Sequence, residues 1–283
     1  MTEAISPELE RQYDFRWRHP DREAILARYT EESERVLTEG PCHLDLAYGP
    51  GPRERVDVFP APAPGAPVHL FIHGGYWRAH RKEDYRFVAR AGRETGATTV
   101  VMEYDLAAQV TIDHIIEQVR RAVLWIRANA GRFNGDAGQL VVSGHSAGGH
   151  LAAMMALTDW TAYGAPAGVV RGCLAISGVF DLDPITRTSI NDDLRLDAAA
   201  VRRNSPIYRI GDRLPTIAVA YGAGETKEFI RQSKQFAAAL ERAGGSGPLL
   251  GLPGLHHYDI VLELARPDTT LALALRALLG DDG

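Results

Sequence analysis

The feature that most constrains this chain is the run Leu140-Val141-Val142-Ser143-Gly144-His145-Ser146-Ala147-Gly148-Gly149-His150. The residues from Leu140 to Ser143 are mostly apolar and β-favouring, which predicts a short buried strand. Ala147 to Leu157 is dominated by Ala, Leu and Met, which predicts a helix. Between them stands G-x-S-x-G, filled by Gly144-His145-Ser146-Ala147-Gly148. A serine on so sharp a strand-to-helix turn is a nucleophile elbow. Glycines two places before and two after it are expected because a Cβ at either point would strike a neighbouring backbone. The turn lifts the Ser146 hydroxyl clear of the sheet and aims the first free N–H groups of the helix at the same point, where they favour negative charge. Chance also produces five-residue patterns; the strand before this one and the helix after it are what give it weight.

A fold must surround such a turn, and 283 residues suit one large α/β domain, residues 1–283, better than two small ones. The net charge is −5 and no basic stripe occurs, so no nucleic-acid partner is expected. No apolar run reaches the ~18 residues that would span a bilayer, and the first 28 residues, rich in Arg, Asp and Glu, do not read as a signal peptide. Two cysteines, Cys42 and Cys173, lack metal-ligand spacing and are expected as reduced thiols of a cytoplasmic protein. No cofactor, metal or membrane is called for. The expected partner is a small-molecule substrate, with a homodimer left open.

Along the chain, 8–39 is charged with a helical pattern, Ile25, Leu26, Tyr29, Val36 and Leu37 offering one apolar face. Tyr13, Phe15 and Trp17 lie just ahead, either packing that segment on the domain or covering the mouth of a pocket. Residues 43–48 and 55–59 alternate around Gly49-Pro50-Gly51-Pro52 and predict a hairpin. Strands follow at 68–72, 97–103, 140–143, 169–177, 215–222 and 248–252. Helices are predicted at 81–95, 111–133, 147–157, 227–243, 257–264 and 267–279. The alternation requires a mostly parallel central sheet with helices on both faces. The segments 8–39 and 181–214 are left as small cap elements, the second following a strand end, where α/β folds place their sites.

An exposed serine needs a base, an orienting acid and an anion hole. In this kind of fold the acid and then the histidine follow the serine. Beyond the elbow helix only His256 and His257 remain, in the loop Pro253-Gly254-Leu255-His256-His257-Tyr258-Asp259, and one of them is the expected base. A metal site is the competing reading for that pair, but adjacent histidines point apart and no third ligand is suitably spaced. For the acid, Glu225 sits just past a predicted strand; Asp181 follows another strand end and is the rival. The Ala147 N–H is one anion-hole donor. Gly74 and Gly75, in His73-Gly74-Gly75-Tyr76-Trp77 after a buried strand, supply the others, since a Gly pair lets backbone approach an oxygen closely. His73 is expected to hydrogen-bond that loop rather than move a proton. The rings of Tyr76 and Trp77, next to those glycines, are expected near the substrate, and His145 as part of the pocket wall. His150 is assigned to helix packing.

These motifs resemble those of α/β-hydrolases of the kynurenine formamidase (arylformamidase) type and of the wider esterase group. His73-Gly74-Gly75-Tyr76-Trp77 is similar to that family's H-G-G-x-W loop, and Gly144 to His150 resembles its elbow. Glu225-Thr226-Lys227-Glu228-Phe229-Ile230-Arg231-Gln232-Ser233 resembles its acid segment, and His257-Tyr258-Asp259-Ile260 the segment of its catalytic histidine. The resemblance, which spans most of the chain, implies an α/β-hydrolase fold. It selects Glu225 over Asp181 and His257 over His256, giving Ser146, Glu225 and His257 as the triad and Gly74, Gly75 and Ala147 as the oxyanion hole. Two departures stand out: Glu225 replaces the usual Asp, and Glu103-Tyr104-Asp105-Leu106-Ala107-Ala108 replaces a more usual Tyr-Arg-Leu-Ala-Pro run. The expected activity is cleavage of small N-formyl arylamines such as N-formylkynurenine. The alternative is a carboxylesterase for short-chain or aryl esters. A non-catalytic binding protein on this scaffold would be signalled by loss of the serine or the histidine, and both are present.

Overall fold

The computed structural model describes residues 4–15 and 18–280, so Trp17 lies outside the described residues. The strands are β1 (His43–Ala47), β2 (Arg55–Phe59), β3 (Ala66–Ile72), β4 (Thr98–Met102), β5 (Gly135–His145), β6 (Val170–Ile176), β7 (Thr216–Gly222) and β8 (Leu249–Leu252). They form one sheet in the order β1-β2-β4-β3-β5-β6-β7-β8. The β1–β2 hairpin joins the sheet antiparallel through β2 and β4; every pairing from β4 to β8 is parallel.

The α-helices are α1 (Pro7–Tyr13), α2 (Arg22–Val36), α3 (Ala89–Glu94), α4 (Ile112–Asn129), α5 (Ala147–Ala156), α6 (Asn191–Leu194), α7 (Ala198–Asn204), α8 (Lys227–Arg242) and α9 (Thr270–Leu279). The central strands are apolar at successive positions because both faces are covered. Leu70, Val142, Cys173 and Val219 share one core with Ile115, Val119, Leu151 and Phe236 from α4, α5 and α8. Phe71, Val141, Leu174 and Ala218 share the other with Tyr29, Ala91 and Leu275 from α2, α3 and α9.

Several expectations need correction. The segment 8–39 is two helices, not one; Pro7 with the Ser6 cap starts the first, which ends at Tyr13, and the second begins at Arg22. On the second, Ile25, Tyr29 and Val36 are buried, with Leu26 and Leu37 at the margin. The expected helix 81–95 is a 3₁₀ turn, Lys82–Val88, running into the short α3. Within it the Lys82 ammonium is buried and tied to Asp45, Asp57 and Glu83. The elbow strand begins at Gly135, five residues before its apolar run. The segment 181–214 holds α6, α7 and short 3₁₀ turns, capped by Asp197 and packed by Ile185, Leu194 and Val201.

The carboxyl ends of β3, β5, β6, β7 and β8 lie side by side. They lead respectively into His73, Ser146, Ser177, Glu225 and His257. Functional groups 184 residues apart in sequence (His73 to His257) therefore meet over one edge of the sheet, the usual place for a site in a parallel α/β fold. Among the described residues, no helix is long and apolar enough to cross a membrane.

Candidate active site

Ser146 sits between β5 and α5 at φ 59°, ψ −120°, a conformation costly for any residue with a Cβ. Two glycines make it tolerable. A Cβ on Gly144 would lie 2.2 Å from the Gly148 carbonyl oxygen, and one on Gly148 would lie 1.9 Å from that of Ile72. The Ser146 N–H donates to the Ile176 carbonyl at 2.9 Å, pinning the turn to β6.

His257 Nε2 lies 3.0 Å from Ser146 Oγ and is placed to accept its proton. Its Nδ1 faces Glu225 Oε2 at 3.7 Å, a separation that must close by some 0.8 Å to become a hydrogen bond. Such contacts are often loose before substrate binds. The other Glu225 oxygen, Oε1, accepts from the Gly222 N–H at 3.0 Å and from the Ser177 hydroxyl. Rings enclose the imidazole: Phe15 stacks on it at 4.2 Å between centroids, Phe229 meets it edge-on at 4.8 Å, and His145 lies at 4.7 Å. Burial in this aromatic box pushes His257 well below the usual imidazole range, so it is neutral and ready to act as base. Burial raises the Glu225 carboxyl, while its two donors oppose that rise.

The rival residues are placed elsewhere. His256 turns its Nε2 to Asp21 at 3.6 Å and Asp259 at 3.5 Å and stacks on His19. Asp181 accepts from the Asp183 N–H at 3.0 Å within its own turn.

Gly74 approaches the nucleophile so closely that a Cβ on it would lie 3.0 Å from Ser146 Cβ and 2.8 Å from the His145 carbonyl oxygen. Gly75, at φ +106°, abuts the Ala79 carbonyl and lines a cavity of about 60 Å³ with Ser146, His257, His145, Tyr76 and Phe15. Ala147 opens α5, where a helix leaves its first N–H groups without intrahelical acceptors. His73 braces this loop: Nδ1 donates to the Gly74 carbonyl at 2.8 Å, and Nε2 meets Glu103 Oε1 at 2.8 Å.

The two rings after the glycines part company. Both residues have positive φ, 49° at Tyr76 and 58° at Trp77. Tyr76 faces the cavity, and its hydroxyl donates to the Tyr13 carbonyl at 2.6 Å. Trp77 does not wall the cavity; it is fully buried, and its indole N–H donates to His150 Nδ1 at 3.3 Å. His150 in turn donates from Nε2 to the Asn204 carbonyl at 2.7 Å, and burial holds it down to about 4. Trp77 is therefore a strut beneath the loop rather than a substrate contact. His145 lines the cavity, and burial lowers it well below the usual imidazole range, so its ring is neutral.

Sequence reasoning missed Ser177, whose contact with Glu225 depends on β6 and β7 being neighbours, and the cavity-lining His80, Tyr85 and Tyr258. Phe15 was among the aromatic residues noted; Tyr13, its neighbour, is buried and donates to Glu228.

A strained serine thus stands with a neutral histidine in reach of its hydroxyl and a glycine loop close against it. The BD-FAE family profile matches residues 57–240, which include the glycine loop, the elbow and Glu225. The chain belongs to that family of α/β-hydrolases. It is 31% identical to the kynurenine formamidase of Danio rerio over 255 residues, covering 88% of this chain and 85% of the relative. It is 31% identical to that of Salmo salar, covering 96% of each. It is also 30% identical to the esterase LipQ of Mycobacterium tuberculosis, covering 76% of this chain and 57% of the relative. An esterase structure from Pyrobaculum calidifontis, 19% identical, superposes with a TM-score of 0.74 over 97% of this chain and 98% of its own, a likeness of fold. The α/β-hydrolase fold and hydrolase class expected from the motifs are thus both supported.

Proposed function

We propose that this hydrolase cleaves small N-formyl arylamines through a formyl-enzyme on Ser146. The observation that carries the reading is the pairing of Ser146 Oγ with His257 Nε2 at 3.0 Å beside a cavity of only about 60 Å³. That is well below the several hundred cubic ångströms of an ordinary small-molecule pocket, which favours a small acyl group. The kinship with kynurenine formamidases points the same way.

In the proposed reaction Ser146 Oγ attacks the formyl carbon as its proton passes to His257 Nε2. The N–H groups of Gly74, Gly75 and Ala147 hold the oxyanion; removing one such donor typically costs about 10²–10³ in rate. Glu225 orients His257 and stabilises the imidazolium. Collapse breaks the C–N bond, and His257 returns the proton to the leaving arylamine. Water, activated by the same imidazole, then releases formate and restores Ser146. Tyr76 and Phe15 present aromatic surface on the leaving-group side, and His145 contributes to the wall.

The second reading, a carboxylesterase for short-chain or aryl esters, is favoured by the kinship with LipQ. The two separate on kcat/KM for one formanilide against formyl, acetyl and butyryl esters of one phenol. The formamidase reading expects formanilide turnover and a steady fall from formyl to butyryl. A preference for butyryl, or brisk ester hydrolysis with an inert formanilide, would overturn it in favour of the esterase.

A further inference from the structure

We propose that Ser177 is a positioning residue of the active site, whose hydroxyl fixes one oxygen of the Glu225 carboxylate and so holds the other toward His257. The proposal rests on the reading that Glu225 is the acid serving Ser146 and His257.

Ser177 is the first residue beyond β6. It is completely buried, and its N–H donates to the Ala220 carbonyl of β7 at 2.7 Å. Its φ is +49°, a left-handed conformation that a serine adopts only where its surroundings impose it. Strain of this kind in a buried residue at the rim of a site is a pointer to function. The conformation brings the hydroxyl onto Glu225 Oε1, where the Gly222 N–H also donates, at 3.0 Å. With Oε1 held by two donors from different strand ends, Oε2 is left without a hydrogen bond. It faces His257 Nδ1, which also lacks one, at 3.7 Å. Two adjoining buried groups that lack only each other are set to pair.

A glutamate needs such a clamp more than an aspartate does, because its extra methylene adds a torsion through which the carboxylate could swing from the histidine. The clamp also acts on charge. Glu225 is fully buried, and burial favours its neutral form; the Ser177 and Gly222 donors are the foremost influences opposing this. A protonated Glu225 could neither hold the Nδ1–H tautomer of His257 nor stabilise the imidazolium. Removing the hydroxyl should therefore ease protonation of the Glu225–His257 pair, whichever member takes the proton.

The test compares pH profiles of kcat/KM for Ser177→Ala, Ser177→Gly and Glu225→Gln, with the double variant Ser177→Ala/Glu225→Gln. Glycine accepts the positive φ without strain, so Ser177→Gly reads loss of the hydroxyl even where Ser177→Ala folds poorly. The expected result is an acid limb displaced upward by about one to two pH units in both Ser177 variants, from loss of one charge-assisted hydrogen bond. KM should stay near the parent value, and Ser177→Ala should cause no further loss of kcat in the Glu225→Gln background. An unmoved acid limb in both Ser177 variants, alongside a crippled Glu225→Gln, overturns the role of Ser177 alone. A lower kcat with an unmoved limb also overturns it, since that is the mark of a merely structural serine. Undiminished turnover in Glu225→Gln would instead remove Glu225 as the acid, and the proposal with it.

Discussion

The two ends of this sheet carry contrasting depressions. At the carboxyl ends of the strands lies the cavity of about 60 Å³ over Ser146, walled by aromatic rings and by the neutral His145 and His257. At the amino ends of β6 and β7 lies an open groove of about 1060 Å³, lined in part by Asp159, Arg171, Arg209, Asp212 and Arg213. The groove has room for a large ligand, yet its charged side chains stand in solvent, where water screens them. The cavity is far smaller, but Ser146, His145 and His257 within it are buried away from water. Electrostatic interactions gain several-fold in strength on leaving water, so chemistry belongs to the smaller space. Volume is a poor guide to function beside strain, burial and convergent donors.

The largest effect separating the two ends should come from the nucleophile. Ser146→Ala is expected to lower turnover by about 10⁴–10⁶, measured by steady-state hydrolysis, while Arg209→Ala in the groove leaves it within twofold. Equal losses would erase the distinction. A fluorophosphonate should label Ser146 alone, read by mass spectrometry of the modified peptide. Next comes the acid: Glu225→Gln should reduce kcat by about 10³–10⁴, by analogy with the amide replacement in serine proteases, with KM little changed. Asp181→Asn should have the smaller effect, and the reverse ranking would move the acid to the end of β6.

The pH response offers a subtler contrast. Because burial depresses His257, kcat/KM should stay level as pH falls through 6.5 and decline only below it. Stability should behave otherwise. In the folded chain burial holds His150 down to about 4 and His69 down to about 3, whereas in the unfolded chain each titrates near 6.5. Their contribution is therefore complete above pH 6.5 and is lost progressively as pH falls from there toward 4 and 3, because the unfolded chain takes up protons first. Thermal melts between pH 7.5 and 4 should show Tm falling over a range where initial rates at pH 6 remain intact. A smaller effect on the cavity side is that of Trp77→Phe, which strands the buried His150 Nδ1 and should cost about 1–3 kcal/mol of stability with little change in kcat. Arg213→Ala in the groove should leave Tm unchanged.

Most of the site could be read from the chain because its signals are local. The G-x-S-x-G turn, the Gly74-Gly75 pair and the strand-and-helix alternation each depend on residues a few places apart. What escaped reading depends on neighbours distant in sequence. Ser177 is an ordinary serine until β6 and β7 lie together and bring it onto Glu225. Trp77 stands one residue beyond Tyr76, yet with positive φ at both, one ring faces the cavity and the other lies beneath the loop. Choosing His257 over His256 required the family resemblance, since spacing alone left both open. The burial of Lys82 in the turn 82–88 depends on the carboxylates of Asp45 and Asp57, far earlier in the chain.

The contact between Ser146 and His257 bridges 111 positions along the chain. A ribosome adding about 5–20 residues per second would deliver the base roughly 6–22 s after the nucleophile. Through that interval the serine lacks the histidine proposed to activate it. On the proposed mechanism, a growing chain cannot attack small molecules around it before β8 and the loop after it are laid down. Any product truncated ahead of β8 would be silent rather than indiscriminate.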